Sequence, residues 1–270
     1  MKQLFTVFLL LISVHSFANL GEGVSENRPT KKAKTLTVMT YNIHHCNPPS
    51  AGTKIDVEAI ARVIRKEKPD LVALQEVDVN TERSGKGLNQ ARELARLTGM
   101  HFFFSKAIDH QGGDYGVAVL SRFPILDSTR FSLPVDPEIK GEPRTFAGVT
   151  VEISKGKKII FGCTHLDLKE PNRVSQSELI VKHFENSDLP VILGGDFNAL
   201  SDSRVIQYLD QHFVRSCQTC APTIPVEKPN RAIDFILYKP GETFKTLSTN
   251  VIDEQYASDH LPVVVKLQVK

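Results

Sequence analysis

The sequence predicts an α/β fold in one domain, spanning about residues 34–270. Three observations predict it. Runs rich in Val, Ile and Leu alternate with stretches of helical spacing all the way to the C-terminus. No interior linker, repeat or low-complexity segment divides them. The 270 residues are 41% hydrophobic, enough for one large core or two modest ones.

The first residues are set apart from that domain. Met1-Lys2 is a positive start, and Leu4 to Leu11 with Ile12 and Val14 form a short apolar run. Ser16-Phe17-Ala18 then supplies the small residues a signal peptidase reads. Residues 1–18 are therefore expected to be a signal peptide cleaved near Ala18, and 19–33 a polar tail. The mature protein is expected to be secreted or periplasmic. The apolar run is short for a membrane span, and no later segment is long and apolar enough to be one.

Within the domain, Leu36 to Tyr41 reads as a strand. Asp56 to Lys66 reads as a helix: Asp56 caps it, Val57, Ile60 and Ile64 share a face, and Pro69 lies beyond its end. Leu71 to Leu74 is the next strand, and Asn89 to Thr98 a helix closed by Gly99. His101 to Ser105, Gly116 to Leu120, Arg144 to Ile153 and Lys158 to Cys163 read as strands, the last two joined by a hairpin turn at Ser154-Lys155-Gly156-Lys157. Asn172 to Phe184 is a helix after Pro171, and Arg204 to Leu209 a short one. Val191 to Leu193, Ile233 to Tyr238 and Pro262 to Val269 complete the strands. In LPVILGGDFNA, Gly194-Gly195 reads as the turn that ends the strand before Asp196 and Asn198.

Lys and Arg total 33 against 31 Asp and Glu, a balance that argues against a protein held to nucleic acid by a coat of positive charge. The clusters Lys31-Lys32-Ala33-Lys34 and Lys155-Gly156-Lys157-Lys158 read as a tail and a hairpin turn. Secretion would place the four cysteines in an oxidising compartment. Cys217 and Cys220 form a C-x-x-C; without a second such pair or a nearby His pair it reads as a small structural disulfide rather than half a zinc site. Cys46 and Cys163 are left open between free and paired.

Six strand candidates carry polar residues at one end. Asn42, Gln75-Glu76, His165, and Asp196 with Asn198 follow their strands; Asp234 opens one, and Asp259-His260 precedes another. In a mixed or antiparallel sheet the end of one strand lies beside the start of its neighbour, so all six groups can meet at one edge. Their chemistry coheres. Glu76, Asn42 and Asp259 offer oxygen ligands to a hard divalent cation, Mg²⁺ or alternatively Mn²⁺. Asp234 can orient and charge-stabilise His260, Asp196 can activate water, and Asn198 and His165 can donate to phosphate oxygens.

Those residues carry a resemblance. TYNIHH, ALQEVD, YGVAVLSRFPI, THLDL, GGDFNA, RAIDFILY and SDHLPV, in that order, resemble the endonuclease/exonuclease/phosphatase superfamily, the DNase I-like metal-dependent phosphoesterases. The resemblance implies a four-layer α/β sandwich, two facing mixed β-sheets flanked by helices, with the active site along one sheet edge. It implies Glu76 as principal metal ligand with Asn42 beside it and Asp259 as a metal-side or water-side carboxylate. It further implies that Asp196 and Asn198 align water and phosphate, that His165 contacts the phosphate, and that Asp234 pairs with His260. Asp196 and His260 both stay open as the general base. Arg144 and Tyr115 sit where relatives place substrate contacts; the structural alternatives are a surface strand cation and a core aromatic.

One departure bears on substrate. His44 stands where apurinic-site endonucleases of the family carry Asp, and basic or wedge-like insertions for gripping duplex DNA are missing. The segment ending LSRFPI resembles the sphingomyelinase-like and deadenylase-like branches instead. The expected function is a secreted, Mg²⁺-dependent phosphodiesterase or phosphomonoesterase acting on a small-molecule or lipid-headgroup phosphoester. A secreted DNA or RNA nuclease is the alternative, so nucleic acid ranks second as partner, and no obligate protein partner is evident. A non-catalytic binding module ranks last, and a thiol-redox role for Cys217 and Cys220 forms a third class.

Overall fold

A computed structural model describes residues 34–270; the expected signal peptide and polar tail lie outside the described residues. Two six-stranded mixed sheets face each other. The first runs β11-β12-β1-β2-β4-β3, built from β1 (Lys34–Asn42), β2 (Leu71–Val79), β3 (His101–His110), β4 (Gly113–Ser121), β11 (Phe244–Val251) and β12 (Val263–Val269). The second runs β5-β6-β7-β8-β10-β9, from β5 (Ile125–Leu133), β6 (Arg144–Ser154), β7 (Lys157–His165), β8 (Val191–Asp196), β9 (Val214–Arg215) and β10 (Asp234–Tyr238). In each sheet one central pair is parallel, β1 with β2 and β7 with β8.

Period-two alternation sorts the strand side chains into layers. Leu36, Val38, Leu71 and Ala73 point inward to meet Val149, Phe161 and Ile192 of the other sheet. Their neighbours Met39, Tyr41, Val72 and Leu74 point outward under α1 (Val57–Glu67) and α2 (Gln90–Thr98), against Ile60, Ile64 and Leu94. On the far side, Leu193, Phe235 and Leu237 pack beneath α3 (Glu170–Phe184) and α4 (Arg204–Leu209). The result is the expected four-layer sandwich. Its central strands are buried on both faces, which explains their nearly continuous apolar runs.

The helix ends follow their caps. Asp56 accepts from the Ala59 N–H at 3.0 Å, and Asn89 from the Arg92 N–H at 2.9 Å. Gly99 closes α2 in the left-handed conformation. Helix α3 begins at Glu170 and takes Pro171 into its first turn, where a missing N–H costs nothing.

The structure corrects the sequence reading in three places. Strands β5, β9 and β11 add to the expected set; β5 and β11 are exposed along much of their length, β9 has only two residues, and all three are sheet edges, so little apolar patterning marks them. Strand β2 does not end at Leu74 but runs to Val79 through a register shift between Leu74 and Val77. Gly194 and Gly195 are not a turn. They lie inside β8, where a Cβ on Gly194 would come 2.9 Å from Ala73 Cβ, and one on Gly195 would come 2.5 Å from the Thr164 carbonyl oxygen. These glycines let the second sheet pack close against the first and let β7 lie close beside β8.

The described cysteines are settled. Cys217 and Cys220 form the expected disulfide, while Cys46 and Cys163 are buried and free. No helix among the described residues is long and apolar enough to cross a membrane.

Gly195→Ala is expected to lower stability by about 1–3 kcal/mol through overpacking against backbone. Gly156→Asn, at an open left-handed turn position, is expected to leave Tm nearly unchanged. Thermal denaturation of both variants checks this; equal Tm values would contradict the close-packing account of Gly195.

Candidate active site

Strand register assembles the site. Asp196 ends β8 and lies opposite His165, the last residue of β7, on one side and opposite Asp234, the first residue of β10, on the other. Arg144 opens β6 beside the end of β7. The first sheet contributes Asn42, the last residue of β1, and Glu76 from the irregular stretch of β2. Glu76 takes a left-handed φ of 58°, so the bulge turns Gln75 into the core and swings Glu76 to the rim. Gln75 is held inside by Thr40 and Cys163. Asp259 and His260 arrive on the loop before β12, tied to β1 by the Ser258 hydroxyl, which donates to the Asn42 carbonyl at 2.7 Å.

Asn42 joins the two sheets. Its amide nitrogen donates to Glu76 Oε1 at 3.1 Å and to Asp196 Oδ2 at 3.2 Å, while its Oδ1 accepts from the His44 N–H at 3.1 Å. A backbone donor on one side and two carboxylates on the other fix which way the amide points.

Asp196 is surrounded. Its Oδ1 accepts from the Asn198 N–H at 2.8 Å, and its Oδ2 lies 3.5 Å from His165 Nε2 and 3.8 Å from His260 Nε2. Asn198 sits at a left-handed φ of 48°, which Asn tolerates, and spends one amide proton on the Leu166 carbonyl. Burial and the neighbouring Asp234 charge push the Asp196 carboxyl up to about 7, against the opposing pull of His260, Asn198 and Asn42.

The two histidines differ in state, and their partners say why. Asp234 Oδ2 accepts from His260 Nδ1 at 2.9 Å and also holds the Thr223 hydroxyl. Burial works against a charged His260 ring, but Asp234, Asp196 and Asp259 outweigh it and raise the imidazole to about 10. His165 Nδ1 instead faces Arg144 Nη1 at 3.1 Å. A guanidinium only donates, so Nδ1 accepts and the ring proton sits on Nε2, aimed at Asp196. Burial and the Arg144 charge hold His165 well below the ordinary histidine range, hence neutral.

Arg144 is therefore no surface cation: it is 5% exposed, bonds His165 and pairs with Glu142 at 2.9 Å. Tyr115 is buried, with the Arg83 guanidinium 5.5 Å from its ring centroid; burial and the nearby Glu76 charge raise its hydroxyl pKa. Asp259 is half-buried, and its side chain accepts weakly from Ser258 at 3.3 Å. Three contributors escaped the sequence reading. Ser258 was legible beside Asp259-His260 as a hydroxyl anchor, whereas Thr223 lies in a loop with no local pattern. His45 has its ring 4.5 Å from that of His44, and these two histidines and Glu76 offer ligand atoms within 4.8 Å of one another.

The donor set fits a hard divalent cation. Burial and the Asp259 charge raise the Glu76 carboxyl, although its Asn42 hydrogen bond opposes them, and among the described residues no salt bridge reaches Glu76. Asp234 Oδ1 is buried without a hydrogen-bond partner among the described residues. A crowd of carboxylates short of cations is where a metal relieves the desolvation cost.

Comparison with known proteins gives the same picture. The model of the Endonuclease/Exonuclease/phosphatase family matches residues 39–260. An endonuclease/exonuclease/phosphatase from Beutenbergia cavernae is 25% identical with a TM-score of 0.73, over 87% of this chain and 72% of its own. The mannosyl-6-phosphatase of Bacteroides thetaiotaomicron is 20% identical with a TM-score of 0.69, over 86% and 99% of the two chains. The human Nocturnin catalytic domain, solved with a bound sulfate anion, is 21% identical with a TM-score of 0.68, over 87% and 95%. The last two share the fold. No curated protein matches the chain in sequence.

Asp234→Asn removes the charge that most raises His260. Its imidazole titration, followed by NMR, is expected to fall from about 10 toward the ordinary histidine range. An unchanged titration would contradict the assigned pairing.

Proposed function

The chain belongs to the endonuclease/exonuclease/phosphatase family, and on that premise we propose that it is a secreted, Mg²⁺-dependent phosphoester hydrolase. Its substrate is a small-molecule or lipid-headgroup phosphoester. The observation that carries the reading is the Asn42 amide, bonded at once to Glu76 and Asp196 where the two sheets converge on His165, Asp234 and His260.

Glu76 and Asp259 would hold the cation, Mg²⁺ or alternatively Mn²⁺, with Asn42 beside them. When bound, it supplies positive charge to the phosphoryl oxygens and polarises the phosphorus. The remaining work falls to the side chains. As the water oxygen bonds to phosphorus and the ester P–O bond breaks, Asp196, with a carboxyl near 7, takes the water's proton as general base, and the leaving oxygen departs as the alcohol with a proton from solvent. Asp234 favours the protonated form of His260, which suits that ring to stabilising the negative charge that develops in the transition state. His165 donates from Nε2 to a phosphoryl oxygen, its tautomer fixed by Arg144. Asn198 donates its second amide proton to the same group. Tyr115 contacts the substrate, and Arg144 acts through His165, to which it is bonded.

The fold neighbours support phosphoester chemistry rather than a particular substrate: one is a mannosyl-6-phosphatase and another carried sulfate, a phosphate-like anion. Substrate choice rests on the half of the site that loops build. Export rests on the N-terminal signal pattern.

A hydrolysis panel with Mg²⁺ or EDTA tests the reading: bis(4-nitrophenyl) phosphate, a sugar phosphate, inositol phosphates, sphingomyelin and supercoiled plasmid. Mg²⁺-dependent turnover of a small phosphoester is expected. Glu76→Gln is expected to lose at least about 100-fold in kcat/KM, the size of losing one transition-state stabiliser, without unfolding. Normal turnover by that variant would overturn the metal assignment, and plasmid cleavage alone would overturn the substrate class.

A further inference from the structure

We propose that His44, His45 and Glu76 form a second, nitrogen-rich cation site that takes a borderline divalent ion of the Zn²⁺ class. It shares Glu76 with the oxygen-ligand site proposed above.

Geometry carries the assignment. Neighbouring residues of an extended chain point to opposite faces, so two adjacent side chains seldom converge. Here His44, His45 and Cys46 take successive left-handed φ values of 44°, 42° and 58°. That turn, following β1, brings both rings to one side with centroids 4.5 Å apart. Glu76 meets them there from its own left-handed position, and one ligand atom from each of the three lies within 4.8 Å of the other two. Left-handed backbone at non-glycine residues is costly, and the surroundings hold it in place: Gln90 Nε2 donates to the His45 carbonyl at 2.6 Å, and the Cys46 side chain is buried.

The hydrogen bonds leave one nitrogen of His44 available. His44 Nδ1 lies 2.8 Å from the Asn47 carbonyl oxygen. A carbonyl only accepts, so Nδ1 carries a proton and Nε2 is the nitrogen left to take a metal. Locking one ring nitrogen on a carbonyl to free the other is how metal-binding imidazoles are oriented. His45 Nδ1, on a ring of the same cluster, is buried with no hydrogen-bond partner among the described residues. Two imidazoles and one carboxylate suit Zn²⁺ or Co²⁺ better than Mg²⁺, which prefers oxygen and keeps its waters.

Co²⁺ is the probe, because nitrogen ligation shows in its visible spectrum. The full chain, stripped with EDTA, is titrated with Co²⁺ in saturating Mg²⁺ and followed by absorbance and calorimetry. One equivalent is expected to bind with nitrogen-ligand bands and to resist Mg²⁺. His44→Asn and His45→Asn keep the left-handed turn, since Asn adopts that φ readily, and remove the imidazole. Each is expected to weaken Co²⁺ at least about ten-fold, with the circular dichroism spectrum retained. Glu76→Gln is expected to weaken it as well, and His165→Gln to leave it unchanged. Equal Co²⁺ affinity in wild type and both histidine variants, or complete displacement by Mg²⁺, would overturn the site. Co²⁺ binding of the expected kind without any Mg²⁺-dependent hydrolysis would uphold it while the proposed function fell.

Discussion

One amide group holds the site together. The Asn42 side chain reaches a carboxylate on each sheet, and its own orientation is fixed by the His44 backbone. Everything else depends on the distance it sets between Glu76 and Asp196. That distance exists because the sheets can approach so closely: Gly194 faces Ala73 and Thr40 with no room for a side chain between them. A residue that is a packing device in β8 is thus two positions from the proposed base. Core and chemistry share the same few residues.

Asp196, Asp234, Glu76 and Asp259 crowd the sheet edge, and the first two are buried. The protein answers locally in two ways. Asp234 and His260 form a tightly bonded pair that keeps the ring charged, whereas Arg144 charges the far side of His165 and keeps that ring neutral. Two imidazoles flanking one carboxylate therefore sit in opposite protonation states, which is how one site can both stabilise charge and donate a neutral hydrogen bond. Glu76 feels the His44 and His260 charges only at a distance, and among the described residues no salt bridge reaches it. Its environment is the part of the molecule that asks for a metal.

Much of this was legible in the chain. Doubly buried central strands announce themselves by continuous apolar runs, and Asp56, Asn89 and Gly99 cap their helices as their residue types dictate. The strand-end positions of Asn42, His165, Asp196, Asp234 and His260 were also visible, because strand register turns separation along the chain into adjacency in space. What was hidden follows from physics that acts at a distance. The edge strands β5 and β11 present one face to solvent and carry little pattern. The glycines of β8 look like turn residues until the opposing sheet is present. The bulge at Glu76 and the left-handed turn at His44, His45 and Cys46 arise from packing that no local propensity records.

On the proposed function, a divalent cation at Glu76 relieves the crowding of the sheet-edge carboxylates. Thermal denaturation of wild type and Glu76→Gln, each in EDTA and in saturating Mg²⁺ at neutral pH, tests it most directly. Mg²⁺ should raise the wild-type Tm by mass action, and Glu76→Gln in EDTA should be at least as stable as wild type because one half-buried carboxylate is removed from the crowd. A wild-type Tm indifferent to Mg²⁺, together with a Glu76→Gln protein less stable than wild type in EDTA, would contradict the account.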